Sequence, residues 1–262
     1  MEVVPLFSKI YGEGRPLIIL HGLFGMGDNW TTHAKIIASN GWQVHAVDQR
    51  NHGRSFWDPK FSYSNMAQDI VEYCSYHNLN NILILGHSMG GKVAMYLACY
   101  HKQLLKAFIV ADIAPKKYDP HHQQILNGLS DLDFDKISSR AMADEKLSNW
   151  VVDASTRQFL LKNLYWKKPG ELGLRINIEV LKNSSEAIGE GLDKDVKSNK
   201  PCLFLKGQNS DYITDNDHSI IRYHFPSARQ SMITKSGHWL HAENPEEFFR
   251  VTLTWLKETS FL

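Results

Sequence analysis

The sequence predicts an α/β fold with a mostly parallel central sheet and helices on both of its faces. Short, wholly apolar runs such as residues 16–20, 81–85 and 107–111 are typical of strands that are covered on both sides. These runs alternate with segments whose apolar residues repeat at helical spacing, and this alternation is typical of parallel sheets. In such folds, ligands bind beyond the carboxyl ends of the strands.

The predicted elements follow one another along the chain. Strands are expected at residues 3–10, 16–20, 42–47, 81–85, 107–111, 201–205 and 229–233. Helices are expected after capping residues at Asp28 or Asn29 and at Ser64, over residues 92–100, near 220–225, and after Asn244, where Pro245 and two glutamates favour a helix start.

The stretch from residue 117 to residue 198 differs from the rest of the chain. It contains no obvious strand-like run, charged and amide residues dominate it, and its apolar residues, such as Phe159 and Leu160, have helical spacing. The sequence therefore predicts a core formed by residues 1–116 and 199–262, with a helical insertion of residues 117–198.

The composition argues against several classes of partner and ligand. The net charge is +1, so we expect no electrostatic attraction to nucleic acid or to an anionic membrane surface. The 13 histidines are scattered, and the adjacent pair His121 and His122 has no further ligand at metal-site spacing. We therefore expect no metal site. Nothing in the composition indicates an oligomeric state.

The cysteines and the first residues favour a reducing compartment. Cys74, Cys99 and Cys202 are odd in number, widely spaced and set in apolar surroundings, which is typical of buried free thiols. The first five residues lack the basic and apolar regions of a signal peptide. No apolar stretch approaches the ~20 residues that span a membrane. We therefore expect a cytoplasmic location.

The stretch Gly-His-Ser-Met-Gly-Gly at residues 86–91 joins a predicted strand to a predicted helix. Glycine two positions before and after a serine is the pattern of a nucleophile elbow, a sharp turn that exposes the serine hydroxyl. Side chains at Gly86 and Gly90 would collide with neighbouring atoms in such a turn. The pattern therefore predicts that Ser88 is a catalytic nucleophile.

A serine nucleophile needs a base, an orienting acid and hydrogen-bond donors for the oxyanion. We expect the base on a late loop, where His238 is favoured over His241 because it directly follows the last predicted strand. One oxyanion donor is expected to be the backbone amide of Met89, at the start of a helix. The other is expected in the loop after the first central strand, at Leu23, with Phe24 as the alternative.

Four short motifs are spread along the chain in a definite order. They are His-Gly-x at 21–23, Asp-x-Arg-x-His-Gly-x-Ser at 48–55, Gly-His-Ser-Met-Gly-Gly at 86–91 and Gly-His-Trp at 237–239. Together they resemble the alpha/beta-hydrolase superfamily. More narrowly, the stretches at 48–53, 112–115, 157–164, 207–210 and 237–239 resemble small serine esterases of the bacterial YbfF type. The resemblance covers essentially the whole chain.

This resemblance implies a carboxylic-ester or thioester hydrolase that acts on a small-molecule substrate without a cofactor or a metal. It also implies that the insertion is a helical cap over the site. Lactone and carbon–carbon bond hydrolysis are alternatives within the fold, and a ligand sensor with little turnover is an alternative of a different class. Epoxide hydrolases and haloalkane dehalogenases are disfavoured, because they usually need a carboxylate where this elbow has Ser88.

The triad acid has two candidates. In most alpha/beta hydrolases it lies in a Gly-x-x-Asp pattern after the strand that follows the cap, but here that position holds Ser210, and Asp211 comes one residue late. Asp112 follows the strand after the elbow helix and has apolar neighbours, which suits a buried carboxylate paired with His238. We favour Asp112, with Ser210 as a further hydrogen-bond partner near the histidine.

Other residues near the motifs have a structural as well as a functional interpretation. Asp48 and Arg50 are expected to lock a turn near the site rather than to take part in catalysis. Four aromatic residues are candidates for lining a pocket, although core packing is favoured for each: Trp30, Trp57, Tyr118 and Trp166. Three residues of the insertion are expected to influence substrate choice: Phe159, Leu164 and Trp166.

Overall fold

The computed structural model describes residues 6–259, so residues 3–5 of the predicted first strand lie outside the described part of the chain. Apolar, β-branched runs form the inner strands because their side chains are buried on both faces of the sheet. The strands are β1 (Ser8–Tyr11), β2 (Arg15–Leu20), β3 (Trp42–Val47), β4 (Ile82–His87), β5 (Leu105–Ala111), β6 (Leu164–Lys168), β7 (Glu171–Leu174), β8 (Cys202–Gly207) and β9 (Ala228–Ile233).

Seven of these strands form one sheet in the order β1-β3-β2-β4-β5-β8-β9. Strand β1 runs antiparallel to β3, and the remaining neighbours pair in parallel. The prediction of a mostly parallel sheet is therefore confirmed. Because β4 and β5 lie at the centre, the loops that follow them meet at one edge of the sheet.

Helices cover both faces of this sheet. Alternate residues of β2 point to opposite faces, so Ile18 packs in the same cluster as Val93, whereas Ile19 packs with Ile37 and Trp255. The helices are α1 (Thr31–Ala38), α2 (Tyr63–Tyr76), α3 (Met89–Tyr100), α4 (Gln123–Ser130), α5 (Arg140–Ser148), α6 (Ala154–Leu161), α7 (Ile178–Asn183), α8 (Ser185–Gly189), α9 (His218–His224), α10 (Leu240–Glu243) and α11 (Pro245–Thr259).

Three sequence predictions about local structure are wrong. Helix α1 is capped by Trp30, which makes no side-chain cap hydrogen bond, rather than by Asp28 or Asn29. The cap of α2 is Ser62 rather than Ser64, because the Ser62 hydroxyl accepts the Asn65 N–H at 3.1 Å. The insertion is not purely helical, since β6 and β7 pair as an antiparallel hairpin. Gly170 allows the turn between them because its φ of 84° lies in the left-handed region.

The insertion of residues 117–198 leaves the core after β5 and returns to it before β8. Its two ends run side by side, because the Tyr118 N–H donates to the Gly189 carbonyl at 2.8 Å and the Leu192 N–H donates to the Pro115 carbonyl at 2.9 Å. The insertion therefore begins and ends at one place on the core. Across residues 6–259, none of the helices is both long and apolar enough to cross a membrane.

Candidate active site

Ser88 lies at the turn between β4 and α3, as the elbow pattern predicts. Its backbone has a φ of 52° and a ψ of −117°, a conformation that side chains rarely adopt. A Cβ added to Gly86 would come within 2.2 Å of the Gly90 carbonyl oxygen, and one added to Gly90 would come within 2.3 Å of the Leu20 carbonyl oxygen. The turn therefore requires glycine at both positions.

Asp112 lies directly after β5 and is fully buried. Gly207 N–H donates to its Oδ1 at 3.0 Å, the Ser210 hydroxyl donates to its Oδ2 in a short hydrogen bond, and His238 Nδ1–H donates to Oδ2 at 2.8 Å. These donors compensate for burial of the charge. Asp211, the other candidate acid, is exposed on the loop after β8. The carboxylate in contact with His238 is therefore that of Asp112.

His238 lies in the loop after β9, and contacts on two sides orient it. Its ring stacks on Tyr212, with ring centroids 3.8 Å apart and an angle of 16° between the planes. Its backbone carbonyl accepts a hydrogen bond from His87 Nε2–H at 2.8 Å. Because Nδ1 carries the proton donated to Asp112, the lone pair of Nε2 can accept a proton.

His241, the rival base, borders the same cavity as Ser88 and His238 but is packed among aromatic rings. Its ring is buried and stacks on Trp30, with centroids 4.2 Å apart, while its carbonyl accepts from His33 Nε2–H at 2.9 Å. Burial lowers the pKa of His241 well below its ordinary value. The geometry thus favours His238 over His241 as the base.

The loop after β2 carries the predicted oxyanion donors. The Phe24 N–H donates to His52 Nε2 at 3.3 Å, so this amide already has a partner. Leu23 borders a small cavity together with Ser88 and Met89. Because of these contacts, Leu23 is a better candidate than Phe24 for the second oxyanion donor.

Two buried neutral histidines hold this loop. His21 Nδ1–H donates to the Gly22 carbonyl at 2.8 Å, and His21 Nε2 accepts the Gln49 N–H at 3.0 Å. His52 Nδ1–H donates to the Arg50 carbonyl at 2.9 Å, which leaves its Nε2 to accept from the loop. Burial lowers the pKa of His21 to about 4 and that of His52 to about 3. Both rings are therefore neutral near pH 7. Their hydrogen bonds agree with this, because only a neutral imidazole donates through one nitrogen and accepts through the other.

Asp48 and Arg50 have the structural contacts that were expected of them. The buried Asp48 carboxylate accepts the Gly27 N–H at 2.6 Å and the Arg54 N–H at 2.8 Å. The Arg50 guanidinium binds Asp69 with two hydrogen bonds of 2.6 and 2.7 Å. These contacts tie the loop after β3 to the loop after β2 and to α2.

Two cavities meet at Ser88. The large chamber has a volume of about 330 Å³ and is bordered by Ser88, by six histidines that include His238, and by apolar side chains. The small chamber has a volume of about 30 Å³ and is bordered by Ser88 and Met89. Leu23 and Tyr212 border both chambers, so the candidate oxyanion site lies at the junction.

The aromatic candidates divide between these chambers and the surface. Trp30 borders the large chamber and Tyr118 the small one. Trp57 and Trp166 are 55% and 54% exposed, so the favoured prediction of core packing is wrong for both. Trp57 lies in irregular chain between β3 and α2, and Trp166 lies in the hairpin strand β6.

The insertion supplies walls that sequence reasoning only partly found. Phe159 borders the large chamber as expected. Leu164 is only 3% exposed, because it is buried among other apolar side chains. His121 and His122 border both chambers. In the sequence, their adjacency mattered only for the question of a metal site, which was not expected. Their contact with the chambers depends on tertiary packing. In the described residues, no group of three or more His, Cys, Asp or Glu side chains could hold a metal ion.

Comparison with known proteins identifies the fold family. A model of the alpha/beta hydrolase fold matches residues 15–245. The chain belongs to the alpha/beta hydrolase family. The sn-1-specific diacylglycerol lipase ABHD11 of Danio rerio is 34% identical over 253 residues, which cover 94% of this chain and 80% of that protein. Esterase YbfF of Escherichia coli (strain K12) is 32% identical over 244 residues, which cover 93% of each chain.

Solved structures agree with this assignment. A marine microorganism esterase is 41% identical to this alpha/beta hydrolase and has a TM-score of 0.93, with 97% of this chain and 100% of that chain covered. An E-2-(acetamidomethylene)succinate hydrolase, at 17% identity and a TM-score of 0.78, shows the same fold only. The predicted alpha/beta-hydrolase fold and the resemblance to YbfF-type esterases are therefore confirmed.

Proposed function

We propose that this alpha/beta hydrolase is a serine esterase whose catalytic triad is Ser88, His238 and Asp112. The hydrogen bond of 2.8 Å between His238 Nδ1 and Asp112 Oδ2, beside a chamber that Ser88 and His238 both border, carries the proposal. The coarser prediction of an ester-cleaving hydrolase is confirmed by the relatives named esterase and lipase.

In this triad, His238 carries a proton from the serine to the leaving group. His238 Nε2 takes the proton of the Ser88 hydroxyl as Oγ attacks the acyl carbon, and Asp112 stabilises the imidazolium that forms. The proton on Nε2 then passes to the alcohol, which leaves while the acyl group stays on Ser88. Water attacks the acyl-enzyme in the same way, and this step releases the acid and restores the serine.

Negative charge develops on the carbonyl oxygen in both steps. The backbone N–H groups of Leu23 and Met89 are the proposed donors to this oxygen, and the positive end of the α3 dipole adds to their effect. Leu23 lies in a loop held by neutral His21 and His52, so its amide is positioned before the substrate arrives. This arrangement supplies stabilisation where the charge forms.

The test of this function is covalent labelling of the nucleophile. Ser88→Ala should abolish labelling by a fluorophosphonate and lower kcat by a factor on the order of 10⁶, while the circular dichroism spectrum stays that of the wild type. Ser155→Ala, which removes an exposed hydroxyl from α6, is the matched control and should label fully. Stoichiometric labelling of the Ser88→Ala protein would reject the assignment.

We further propose that residues 117–198 act as a cap that selects the substrate, over a core of residues 1–116 and 199–262. The support is that His122, Ile125 and Phe159 border the large chamber, whereas the proposed catalytic residues come from the core. Substrates are held between these two parts, so the cap can set the shape of the chambers without touching the reacting atoms.

The thiols support a cytoplasmic location for this esterase. Cys74, Cys99 and Cys202 are free. Burial raises the pKa of Cys74 to about 12 and that of Cys99 to about 11, so both thiols stay protonated. Unpaired, protonated thiols suit a reducing compartment, and we propose the cytoplasm.

A further inference from the structure

We propose that the two chambers divide the substrate unequally, so that the enzyme prefers esters of short-chain acids with large, apolar alcohols. The inference rests on the proposed function, because it takes Ser88 as nucleophile and His238 as base. It goes further by naming which part of an ester occupies which chamber, and therefore the class of substrate.

The tetrahedral intermediate has four substituents, and three of them have assigned places. Ser88 Oγ is one, and the oxyanion faces the amides of Leu23 and Met89. The leaving oxygen must lie near His238 Nε2, because it receives its proton there. The acyl chain takes the remaining direction, away from His238.

The borders of the chambers match these directions. His238 borders the large chamber but is absent from the walls of the small one, which Met89 borders instead. The alcohol therefore extends from the leaving oxygen into the large chamber. The acyl chain passes the oxyanion site and enters the small chamber.

The small chamber has room for few atoms. Its volume of about 30 Å³ holds roughly two or three groups the size of a water molecule. Ile113, Leu126 and Ile188 form apolar parts of its wall. An acyl chain from acetyl to butyryl fits this space, whereas a longer chain needs the wall to move.

Two tyrosine hydroxyls of the small chamber are already paired. The Tyr63 hydroxyl donates to the Ile188 carbonyl at 2.7 Å, and the Tyr118 hydroxyl donates to the Tyr212 carbonyl at 2.5 Å. These bonds leave neither hydroxyl hydrogen available to a polar acyl substituent. The two tyrosines therefore favour an acyl chain that carries no polar substituent beside them.

The large chamber suits a bulky apolar group. Its volume of about 330 Å³ is in the range of small-molecule binding sites, roughly 300–1,000 Å³. Its border includes three aromatic residues, Trp30, Phe159 and Trp239. The ring centroids of Phe159, in the insertion, and Trp239, in the loop after β9, are 5.6 Å apart. An aromatic or branched alcohol can contact these rings.

The first experiment compares two isomeric esters in which the large group lies either in the alcohol or in the acid. Benzyl acetate and methyl phenylacetate are isomers, and each rate is divided by the rate of alkaline hydrolysis of that ester. We expect kcat/KM for benzyl acetate to be about 100-fold higher, because phenylacetyl overfills the small chamber. A ratio of one or less overturns the proposal.

A second series varies only the acyl chain. With p-nitrophenyl esters from acetate to octanoate, kcat/KM should fall beyond butyrate by about 10-fold for each pair of methylene groups. A flat or rising profile overturns the proposal, even where the esters are cleaved well and Ser88 is labelled. Loss of all ester cleavage together with loss of labelling would instead reject the proposed function.

Neighbouring residues of α4 provide matched variants. Leu126 borders the small chamber only and Ile125 the large chamber only. Leu126→Ala should extend the preference to hexanoate, whereas Ile125→Ala should leave the acyl-length profile unchanged. Ile188→Ala, at a partly buried position, repeats the enlargement with less disturbance of the core. The same profile in all three folded variants would overturn the assignment of the chambers.

Discussion

The two halves of the proposed site are built in different ways. In the core half, backbone hydrogen bonds hold the reacting groups at strand ends: the Ser88 N–H donates to Ala111 at 2.9 Å, and the Asp112 N–H donates to Leu205 at 2.8 Å. The insertion half contributes side chains from short helices and, at His121 and His122, from the chain just before α4. The comparison indicates that the sheet positions the chemistry, whereas the insertion shapes the space for the substrate.

Charges show the same contrast. The Arg50–Asp69 pair of the core is buried and makes two hydrogen bonds. In the insertion, pairs such as Lys136–Asp133 are largely exposed and contribute little to stability. The Arg157–Asp144 pair of the insertion is partly buried, so the contrast holds for the exposed pairs of the insertion rather than for all of its charges.

Among the tests of this comparison, the largest expected effect concerns the acid of the core half. Asp112→Asn should lower kcat on the order of 10⁴-fold, because the asparagine amide favours the wrong His238 tautomer. Steady-state kinetics on folded protein measure this loss. Asp211→Asn is the matched control and should stay near wild type. The reverse order of the two variants would place the acid at Asp211.

A second effect concerns the stability of the core half in acid. His21, His52 and His87 are buried, and burial lowers their pKa values to about 4, 3 and 3. In the unfolded chain they bind protons below about pH 6.5. Unfolding then takes up protons, so the stability that these groups contribute is complete above pH 6.5 and is lost as the pH falls towards 3.

This acid effect can be measured by thermal unfolding. At pH 5.5, each of these histidines should lower the free energy of unfolding by at most about 1 kcal/mol relative to pH 7.5. The Tm should therefore fall by several degrees between pH 7.5 and pH 5.5. His218→Gln, at an exposed position of α9, should leave the slope of Tm against pH unchanged. A constant Tm from pH 7.5 to 5.5 would contradict the neutral histidines.

The smallest expected effect concerns the joint between the halves. Lys92 of α3 is 1% exposed, and its Nζ donates to the carbonyl of Lys116, just before the insertion, at 2.5 Å and to that of Glu190, near the end of the insertion, at 2.7 Å. Lys92→Met keeps the length of the side chain but removes both bonds. We expect KM to rise about 10-fold, as is typical of losing one or two hydrogen bonds, with little change in kcat.

Hydrogen exchange distinguishes a loosened joint from general destabilisation. In Lys92→Met, amides of the insertion should exchange faster while those of β4 and β5 keep their protection. Lys102→Met removes an exposed charge just after α3 and is the matched control. Equal acceleration in the core and the insertion would mean that Lys92 supports the whole fold rather than the joint.

Local patterns predicted much of the fold but missed some of its details. The strands of the core were found because each is a short apolar run between turn residues. The hairpin of β6 and β7 was missed, because its exposed Trp166 and charged lysines break the apolar pattern, and the Pro169-Gly170 turn was the only local signal. The cap at Ser62 was missed because two serines lie two residues apart and either fits the pattern.

By itself, the sequence determined the elbow at Ser88 and the parallel sheet that supports it. These follow from short-range sterics and from side-chain periodicity, which need no knowledge of distant residues. Only the tertiary structure decided which carboxylate contacts His238 and how unequal the two chambers are. Both depend on where residues far apart in the chain meet: Asp112 and His238 are 126 positions apart, and the chamber walls combine core loops with the insertion.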